Sequence, residues 1–256
     1  MIAYIFDIDG VITNIDTQDV QEFEIINNIS NKLINNFPVA LITGRSFEWV
    51  EKKVLSLMKD VNKNSLFISC EFSGVIVNYK NNEIEKTINR IAQVPNNIVR
   101  EALLISKKYN NIITHENKKT FLTFRKVTTA SLADFQKYQK DFANELSQLI
   151  SKNKLDSDFV VHCDMLGINV RNKNINKKLA IKEFLNWLKN KTTVQQYLVF
   201  GDSISDLEMA EELQNQNLNY KFIYLGENLD NSKYNFPIVK TIKHYDQGTL
   251  EYLSQE

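Results

Sequence analysis

The chain opens with a run of apolar residues that does not alternate with polar ones. Residues 2 to 6 are Ile-Ala-Tyr-Ile-Phe, and two acids, Asp7 and Asp9, follow at once with Gly10 behind them. A continuous run of β-forming residues predicts a strand that is buried on both faces, as in a parallel sheet. Open α/β sheets place their active sites at the carboxyl ends of such strands, so this strand end is the first candidate site.

The same pattern returns twice, with helical spacing of apolar residues in between. A strand predicted over 38–42 ends at Thr43-Gly44, and one predicted over 197–200 ends at Gly201-Asp202. Apolar residues three or four positions apart predict helices in the intervening segments. These segments are 17–36, Phe47 to about Met58, 176–188, 207–213 and 248–253, with further short strands at 66–70, 74–78, 221–225 and 238–239.

The pattern changes between about residues 83 and 172. Helices are predicted over 96–109 and 131–151, with Ser131 as the N-cap of the second. Each helix precedes a pair of short strands, and a helix followed by two strands, twice over, predicts an antiparallel α+β unit. We therefore predict an α/β fold in which 1–82 and 173–256 form a parallel-sheet core and 83–172 form an insertion. The four predicted strands of the insertion are 111–115, 120–126, 159–163 and 167–171.

Composition narrows the classes of partner. Lysine plus arginine equals aspartate plus glutamate, at 31 each, whereas nucleic-acid binding proteins usually show a basic excess. No stretch approaches the roughly 18 apolar residues of a membrane span. The sequence opens without a basic segment, so we expect no secretory leader, and the cysteines, Cys70 and Cys163, lack metal-site or redox spacing. We expect a cytoplasmic protein without a nucleic-acid or membrane partner, and the sequence indicates no protein partner.

The acids at the predicted strand ends indicate a metal. Asp7, Asp9, Asp202 and Asp206 would meet at one edge of the sheet, where carboxylates repel each other unless a cation lies among them. Oxygen ligands at this density suit Mg²⁺, which binds a few carboxylates, waters and substrate phosphate oxygens. The expected cofactor is therefore Mg²⁺, and the expected substrate is a small phosphorylated metabolite.

Four segments together resemble the motifs of the haloacid dehalogenase superfamily, in its phosphatase branch. They are, in the family's order, Asp7 to Gly10, Thr43-Gly44, Lys177, and Gly201 to Asp206. The insertion resembles the large α/β cap of the sugar-phosphatase subgroup, which includes trehalose, sucrose and mannosylglycerate phosphatases and phosphomannomutases. The resemblance implies a Rossmann-like core, a cap that closes over it, and Mg²⁺-dependent hydrolysis of a sugar or polyol phosphate through an aspartyl-phosphate.

The resemblance also implies catalytic roles. Asp7 would be the nucleophile, since an ionised carboxylate can accept a phosphoryl group. Asp9 would be the general acid and base, and its main-chain carbonyl would contact the metal. Lys177 would neutralise the phosphoryl charge and hold Asp7, and Asp202 and Asp206 would complete the metal ligands. The neighbouring Lys178 is an alternative to Lys177, because the family usually has Lys-Gly at this place.

Substrate binding is predicted at four residues. By resemblance, Thr43 and the amide of Gly44 would bind the phosphoryl oxygens, and Arg125 in the insertion would bind a substrate hydroxyl or a second anionic group. Arg45 is the fourth predicted substrate-binding residue, and it would otherwise orient the site or form a surface salt bridge. A structural or solvated role is the simpler interpretation of other polar candidates, which are Glu71, His162 and Arg171.

Two alternatives to hydrolysis remain open from the sequence. A phosphosugar mutase would use the same Asp7 to pass the phosphoryl group between two hydroxyls. A non-catalytic phosphosugar-binding module would keep the fold without the chemistry, but the expected sign of it, loss of a motif acid or of the lysine, is not found. We therefore predict a phosphoric monoester hydrolase.

Overall fold

The computed structural model describes residues 1–59, 61–163, 167–189 and 191–255. The chain divides into two compact units, the first made of Met1–Thr87 and Asn176–Glu256 and the second of Ile88–Ile175. The elements in chain order are β1 (Ile2–Phe6), α1 (Phe23–Ile34), β2 (Val39–Ile42), α2 (Phe47–Lys53), β3 (Leu66–Cys70), β4 (Val75–Lys80), β5 (Glu83–Ile88), α3 (Asn96–Ser106), β6 (Ile113–Glu116), β7 (Leu122–Lys126), α4 (Leu132–Lys152), β8 (Phe159–Cys163), β9 (Gly167–Asn172), α5 (Lys177–Leu188), β10 (Gln196–Gly201), α6 (Leu207–Asn215), β11 (Tyr220–Tyr224), β12 (Ile238–Lys240) and α7 (Tyr245–Leu253).

The first unit is built on an eight-stranded sheet in the order β12-β11-β10-β1-β2-β3-β4-β5. The pairs from β12 through to β3 are parallel, and β4 returns antiparallel to β3. Because β1 pairs with both β2 and β10, the carboxyl ends of these three strands adjoin. This topology brings together three of the strand ends that the sequence marks as polar.

The central strand β1 is buried on both faces, which explains its uninterrupted apolar sequence. Tyr4 and Phe6 pack into one hydrophobic cluster with α1 and α2, and Ala3 and Ile5 pack into another with α5 and α6. The Phe6 ring stacks on Phe200 of β10 at 4.6 Å between centroids. Each fully buried large side chain of this kind stabilises the fold by roughly 1.5–3 kcal/mol.

Three boundaries differ from the sequence prediction by five or six residues. The first helix begins at Phe23 rather than at 17, because the side chain of Asn14 accepts hydrogen bonds from the amides of Asp16 and Thr17 and holds the chain in a turn. The second helix ends at Lys53, five residues before Met58. The sequence predicts that the insertion starts at 83, but residues 83–87 belong to the first unit, where β5 is the edge strand of the sheet.

The second unit holds a four-stranded antiparallel sheet in the order β6-β7-β9-β8. Leu122, Phe124, Ile168 and Val170 pack against α3 and α4 on one face of this sheet. Helix α4 begins where predicted, because the Ser131 hydroxyl accepts a hydrogen bond from the Asp134 amide at 3.0 Å. The turn predicted between β8 and β9 lies at 164–166, outside the described residues.

Candidate active site

Three carboxylates of the first unit lie together at the carboxyl edge of its sheet. Asp7 directly follows β1, and Asp202 and Asp206 follow β10. Each offers an oxygen atom to a group in which all these oxygens lie within 4.8 Å of one another. Asp206 is fully buried and Asp7 is 6% exposed, so the cluster is largely withdrawn from water. One ammonium group, that of Lys177, enters it.

Lys177 reaches this cluster because of where its helix begins. The side chain of Asn176 accepts a hydrogen bond from the Leu179 amide and caps α5, which makes Lys177 the first helical residue. Its Nζ lies 2.8 Å from Asp7 Oδ1 and also contacts Asp206 Oδ1. Lys178 instead forms an ion pair with Glu211 at 2.7 Å, with more than a third of its side chain exposed.

The electrostatics of the cluster show an excess of negative charge. Burial, together with the neighbouring Asp206 and Asp9, raises the pKa of Asp7 to about 7 despite the Lys177 ammonium. Burial, with Asp206 and Asp7, raises the pKa of Asp202 to about 9. Burial alone would lower the pKa of Lys177, but the two carboxylates it contacts outweigh this effect and raise it. The single ammonium group of Lys177 cannot neutralise three carboxylates, so a bound cation would be stabilised by their remaining negative charge.

Asp206 organises the loop that carries Asp202. Its Oδ2 accepts hydrogen bonds from the amides of Asp202 (3.0 Å) and Ser203 (2.8 Å) and from the Ser203 hydroxyl (2.8 Å). A β-carbon at Gly201 would lie 2.3 Å from Cβ of Asp206, so only glycine fits there. Because both oxygens of Asp206 are already engaged, this residue is suited to hold Lys177 and Asp202 in place as much as to bind a metal directly.

Gly10 lets the chain that follows β1 turn beside Asp202. Its φ of +74° lies in the left-handed region, which glycine adopts at little cost. A β-carbon on Gly10 would also lie 2.3 Å from Oδ2 of Asp202. The Asp-x-Asp-Gly sequence therefore has a steric reason for its glycine.

The carboxylate of Asp9 is paired with Arg45, an interaction that the sequence pattern does not predict. Arg45 Nε lies 3.0 Å from both carboxylate oxygens of Asp9, and Nη2 lies 2.8 Å from Oδ1. The guanidinium also stacks on Trp49 at 4.6 Å. Arg45 was expected to bind substrate, orient the site or form a surface salt bridge, and the geometry favours orientation of Asp9. The sequence feature that could have indicated this pairing is the position of Arg45, two residues after Thr43 and just after the end of β2, the strand beside β1.

Thr43 and Gly44 directly follow β2 and precede Arg45, the partner of Asp9. Thr43 is fully buried, and its hydroxyl accepts a hydrogen bond from the Arg45 amide at 3.1 Å. Its own amide donates to the Ser69 carbonyl at the end of β3. The loop is thus fixed from both sides at the edge where Asp7 lies.

The donor set of this edge fits a hard divalent cation. Asp7 and Asp202 supply carboxylate oxygens, the ligands that Mg²⁺ prefers, and neither carboxylate is fully neutralised by Lys177. A bound cation would reverse the rise in pKa of both acids, because it stabilises their ionised forms. The carboxylate of Asp9, in its pair with Arg45, lies outside the three-acid group.

Arg125 lies on β7 of the second unit. Its Nε donates to Oε2 of Glu116 at 3.0 Å. The cross-strand register places Glu116, Thr123, Asn169 and His162 in one line across all four strands. Since paired residues point to the same side of a sheet, these four side chains form a polar face opposite the helices. In the sequence, this polar face is indicated by polar residues at alternate positions of two strands, Thr123 and Arg125 in β7 and Asn169 and Arg171 in β9.

Comparison with known proteins bears on the fold. No protein-family model matches the chain, and no curated protein matches its sequence. A trehalose-6-phosphate phosphatase C-terminal domain from C. albicans superposes with a TM-score of 0.72 at 20% identity, over 99% of this chain and 91% of that one. A haloacid dehalogenase-like hydrolase from Bacteroides thetaiotaomicron gives 0.65 at 14% identity, over 99% and 98%. An IMP-nucleotidase from Plasmodium falciparum gives 0.56 at 15% identity, over 78% and 52%.

These likenesses establish the architecture. The first two cover nearly the whole chain, so they include the second unit as well as the sheet of the first. The predicted α/β class, with a mostly parallel sheet and an inserted α+β unit, is confirmed, and the chain has the haloacid dehalogenase fold. Among the helices of the described ranges, none has both the length and the apolar character that crossing a membrane requires.

Proposed function

We propose that this protein is a Mg²⁺-dependent phosphatase that hydrolyses a small phosphomonoester, a sugar or polyol phosphate, through an aspartyl-phosphate. The observation that carries the proposal is the geometry around Asp7. This buried carboxylate ends the central strand, 2.8 Å from the Lys177 ammonium, and shares a three-acid cluster with Asp202 and Asp206. Phosphoryl transfer requires in-line positioning and charge neutralisation, and the site supplies groups for both.

In the first step, a carboxylate oxygen of Asp7 attacks phosphorus and the bond to the ester oxygen breaks. Asp9 donates its proton to the leaving alkoxide, so that the leaving group departs as a neutral alcohol. In the second step, Asp9 takes a proton from the water that attacks the phosphoryl group, which frees Asp7 and inorganic phosphate. Before a substrate binds, Arg45 holds the Asp9 carboxylate in one orientation.

The remaining groups act on charge. The Thr43 hydroxyl, the Gly44 amide and the Lys177 ammonium would bind the oxygens of the transferring phosphoryl group. Asp7, Asp202 and the main-chain carbonyl of Asp9 would hold Mg²⁺, with Asp206 in support. When bound, this ion neutralises phosphoryl charge and orients the ester for in-line attack.

The polar face of the second unit supports a hydroxyl-rich substrate. Glu116, Thr123, Asn169 and His162 carry both donors and acceptors, and Arg125 adds a cation beside Glu116. Carboxylates, amides and hydroxyls are the groups that recognise sugar hydroxyls by hydrogen bonds. We propose that Arg125 and this row bind the part of the substrate that is not phosphorylated. The C. albicans structure, a trehalose-6-phosphate phosphatase, agrees with that class of substrate.

The decisive experiment is phosphate release from a panel of phosphomonoesters, with Mg²⁺ and with EDTA. The panel includes trehalose 6-phosphate, hexose 6-phosphates, sorbitol 6-phosphate, IMP and p-nitrophenyl phosphate. We expect release that needs Mg²⁺ and is abolished in Asp7→Asn, while Asp16→Asn, an exposed acid of the following loop, keeps wild-type turnover. Turnover that persists in Asp7→Asn would remove the nucleophile role, and an isomerised hexose phosphate without free phosphate would identify a mutase instead.

A further inference from the structure

The turn between β3 and β4 holds three successive residues in the left-handed region. The φ angles of Glu71, Phe72 and Ser73 are +51°, +51° and +84°. Residues other than glycine adopt this conformation at a cost in free energy, and such strain persists only where the surroundings impose it. The contacts of this turn show what imposes it.

Two main-chain hydrogen bonds fasten the turn to the loop that follows β2. The amide of Phe72 donates to the Thr43 carbonyl, and the amide of Glu71 donates to the Arg45 carbonyl, each at 3.0 Å. The residue between these two acceptors is Gly44. The strained turn is therefore attached on both sides of the amide that would bind the phosphoryl group.

The ring of Phe72 occupies the space where a side chain at position 44 would lie. A β-carbon on Gly44 would lie 2.6 Å from Cε2 and 2.7 Å from Cζ of this ring. The backbone of Gly44 is not in the left-handed region, so its conformation alone would accept other residues. A side chain at position 44 would therefore have to displace this ring.

The same ring also lies near the catalytic ammonium. Lys177 Nζ is 5.9 Å from the ring centroid, within the range of a cation–π attraction. Phe72 is half-buried, whereas Phe6, Phe200 and Phe222 of the two hydrophobic clusters are fully buried. One ring thus lies beside two of the groups assigned to the phosphoryl oxygens, and these groups are 133 positions apart in the sequence.

We propose that Phe72 is a positioning residue for phosphoryl transfer, whose ring fixes the Gly44 amide and the Lys177 ammonium relative to each other. This inference rests on the proposed function, because it assigns a purpose to groups that the phosphatase mechanism uses. It concerns geometry at the site, so it predicts a loss of turnover that exceeds any loss of stability.

The first test compares Phe72→Ala with Phe37→Ala in p-nitrophenyl phosphate hydrolysis with Mg²⁺. Phe37 is a matched control, since it is also a half-buried aromatic residue, packs on Tyr4 and precedes β2 at its amino end. A small displacement of aligned groups can cost about 100-fold in rate, so we expect kcat of Phe72→Ala to fall about 10- to 100-fold, with Phe72→Leu intermediate. Equal turnover in Phe72→Ala and Phe37→Ala, with an active wild type, would overturn the inference. An inactive wild type would instead overturn the proposed function.

The second test does not depend on turnover. The chain has only seven glycines, so protein labelled with ¹⁵N-glycine gives a spectrum of few signals. The Gly44 signal is assigned by its loss in Gly44→Ala. In the wild type we expect inorganic phosphate with Mg²⁺ to shift this signal, and in Phe72→Ala we expect half-saturation to need several-fold more phosphate. The same half-saturation in both proteins would contradict a positioning role.

The third test asks whether the ring alone excludes a side chain at position 44. Gly44→Ala should lower kcat strongly in the wild type, but about ten-fold less strongly in a Phe72→Ala background, where the ring no longer collides with the new methyl group. If the fold-loss of kcat in the double variant equals the product of the fold-losses in the two single variants, the ring does not exclude a side chain at position 44. If Gly44→Ala does not fold on its own, its recovery as a folded protein in the Phe72→Ala background supports the steric assignment, and failure there contradicts it.

Discussion

The two sheets of this protein place their polar groups differently. The central lengths of β1, β2 and β10 are apolar on both faces, and an acid or a hydroxyl follows directly after each strand, at Asp7, Thr43 and Asp202. The sheet of the second unit is apolar on one face and polar on the other, with Thr123 and Asn169 in the middle of its strands. One sheet therefore concentrates charge at an edge, and the other distributes hydrogen-bonding groups over one of its two faces.

The difference indicates a division of labour. At the edge, buried charges depend on each other, because removal of one leaves the others without compensation in a medium of low dielectric constant. On the face, uncharged side chains form hydrogen bonds with each other, as the Thr123 hydroxyl does with Asn169 Oδ1 at 2.8 Å. Substitutions at the edge should abolish function, and substitutions on the face should change it by degrees.

The largest effect is expected from Lys177→Met. The substitution removes the charge that binds Asp7 and Asp206, and loss of one donor to a transferring group commonly costs about 10²–10³-fold in kcat. Breaking a buried pair also destabilises a protein by about 3–5 kcal/mol. We expect both losses, measured by steady-state kinetics and by urea denaturation.

Lys178→Met is the matched control for this experiment. Its ion pair with Glu211 is exposed, and such pairs contribute about 1 kcal/mol or less. Turnover within about two-fold of the wild type is expected. If Lys178→Met were the inactive variant, the assignment of the catalytic lysine would be reversed, as the sequence alone allowed.

The next effect concerns Arg45 and decides between two roles. If Arg45 orients Asp9, Arg45→Met should lower kcat about 10- to 100-fold with little change in KM, since a charged hydrogen-bonding partner of the acid is lost. Arg45→Lys should recover part of it, because a lysine cannot reproduce the bidentate contact. A rise in KM for p-nitrophenyl phosphate with unchanged kcat would instead identify Arg45 as a substrate ligand.

The strand-end chemistry could be predicted from sequence because it is local. Asp7 and Asp9 stand two residues apart after an apolar run, and the parallel pairing of β1 with β2 and β10 follows from the fold class. The same holds for Ser131, whose capping role depends on a residue three positions away. Such features need only a few neighbouring residues and one rule of topology.

Other features depended on partners far along the chain. The edge strand β5 has exposed residues throughout and no core face, so its sequence lacks the hydrophobic pattern that marks a strand. The pairing of Arg45 with Asp9 joins residues 36 positions apart, and the contact of Phe72 with Gly44 requires three left-handed residues that no propensity predicts. These are tertiary contacts, and only the structure assigns them.

On the polar face, Asn169→Ala should produce a graded and selective effect. We expect kcat/KM for the preferred sugar phosphate to fall about ten-fold, which corresponds to loss of one hydrogen bond, while p-nitrophenyl phosphate turnover stays unchanged. Gln148→Ala, an exposed amide on the helix side of the same unit, is the control. Equal losses with both substrates would place Asn169 in the fold of the unit rather than in recognition.

The smallest effect, a few degrees in Tm, is expected from pH and Mg²⁺. Burial raises the pKa of Asp7 to about 7 and that of Asp202 to about 9, both above the ordinary value of 3.8, so the folded protein binds these protons more tightly than the unfolded chain does. Stability of the metal-free protein should therefore fall as pH rises from about 4 to about 9. Mg²⁺ offsets the ionised carboxylates, so the rise in Tm that it causes should be larger at pH 9 than at pH 6, and Asp202→Asn should remove most of it. An equal rise in Tm at both pH values would argue that the ion binds elsewhere than at this edge. The buried charge at the edge would then not explain why the two sheets should respond differently to substitution.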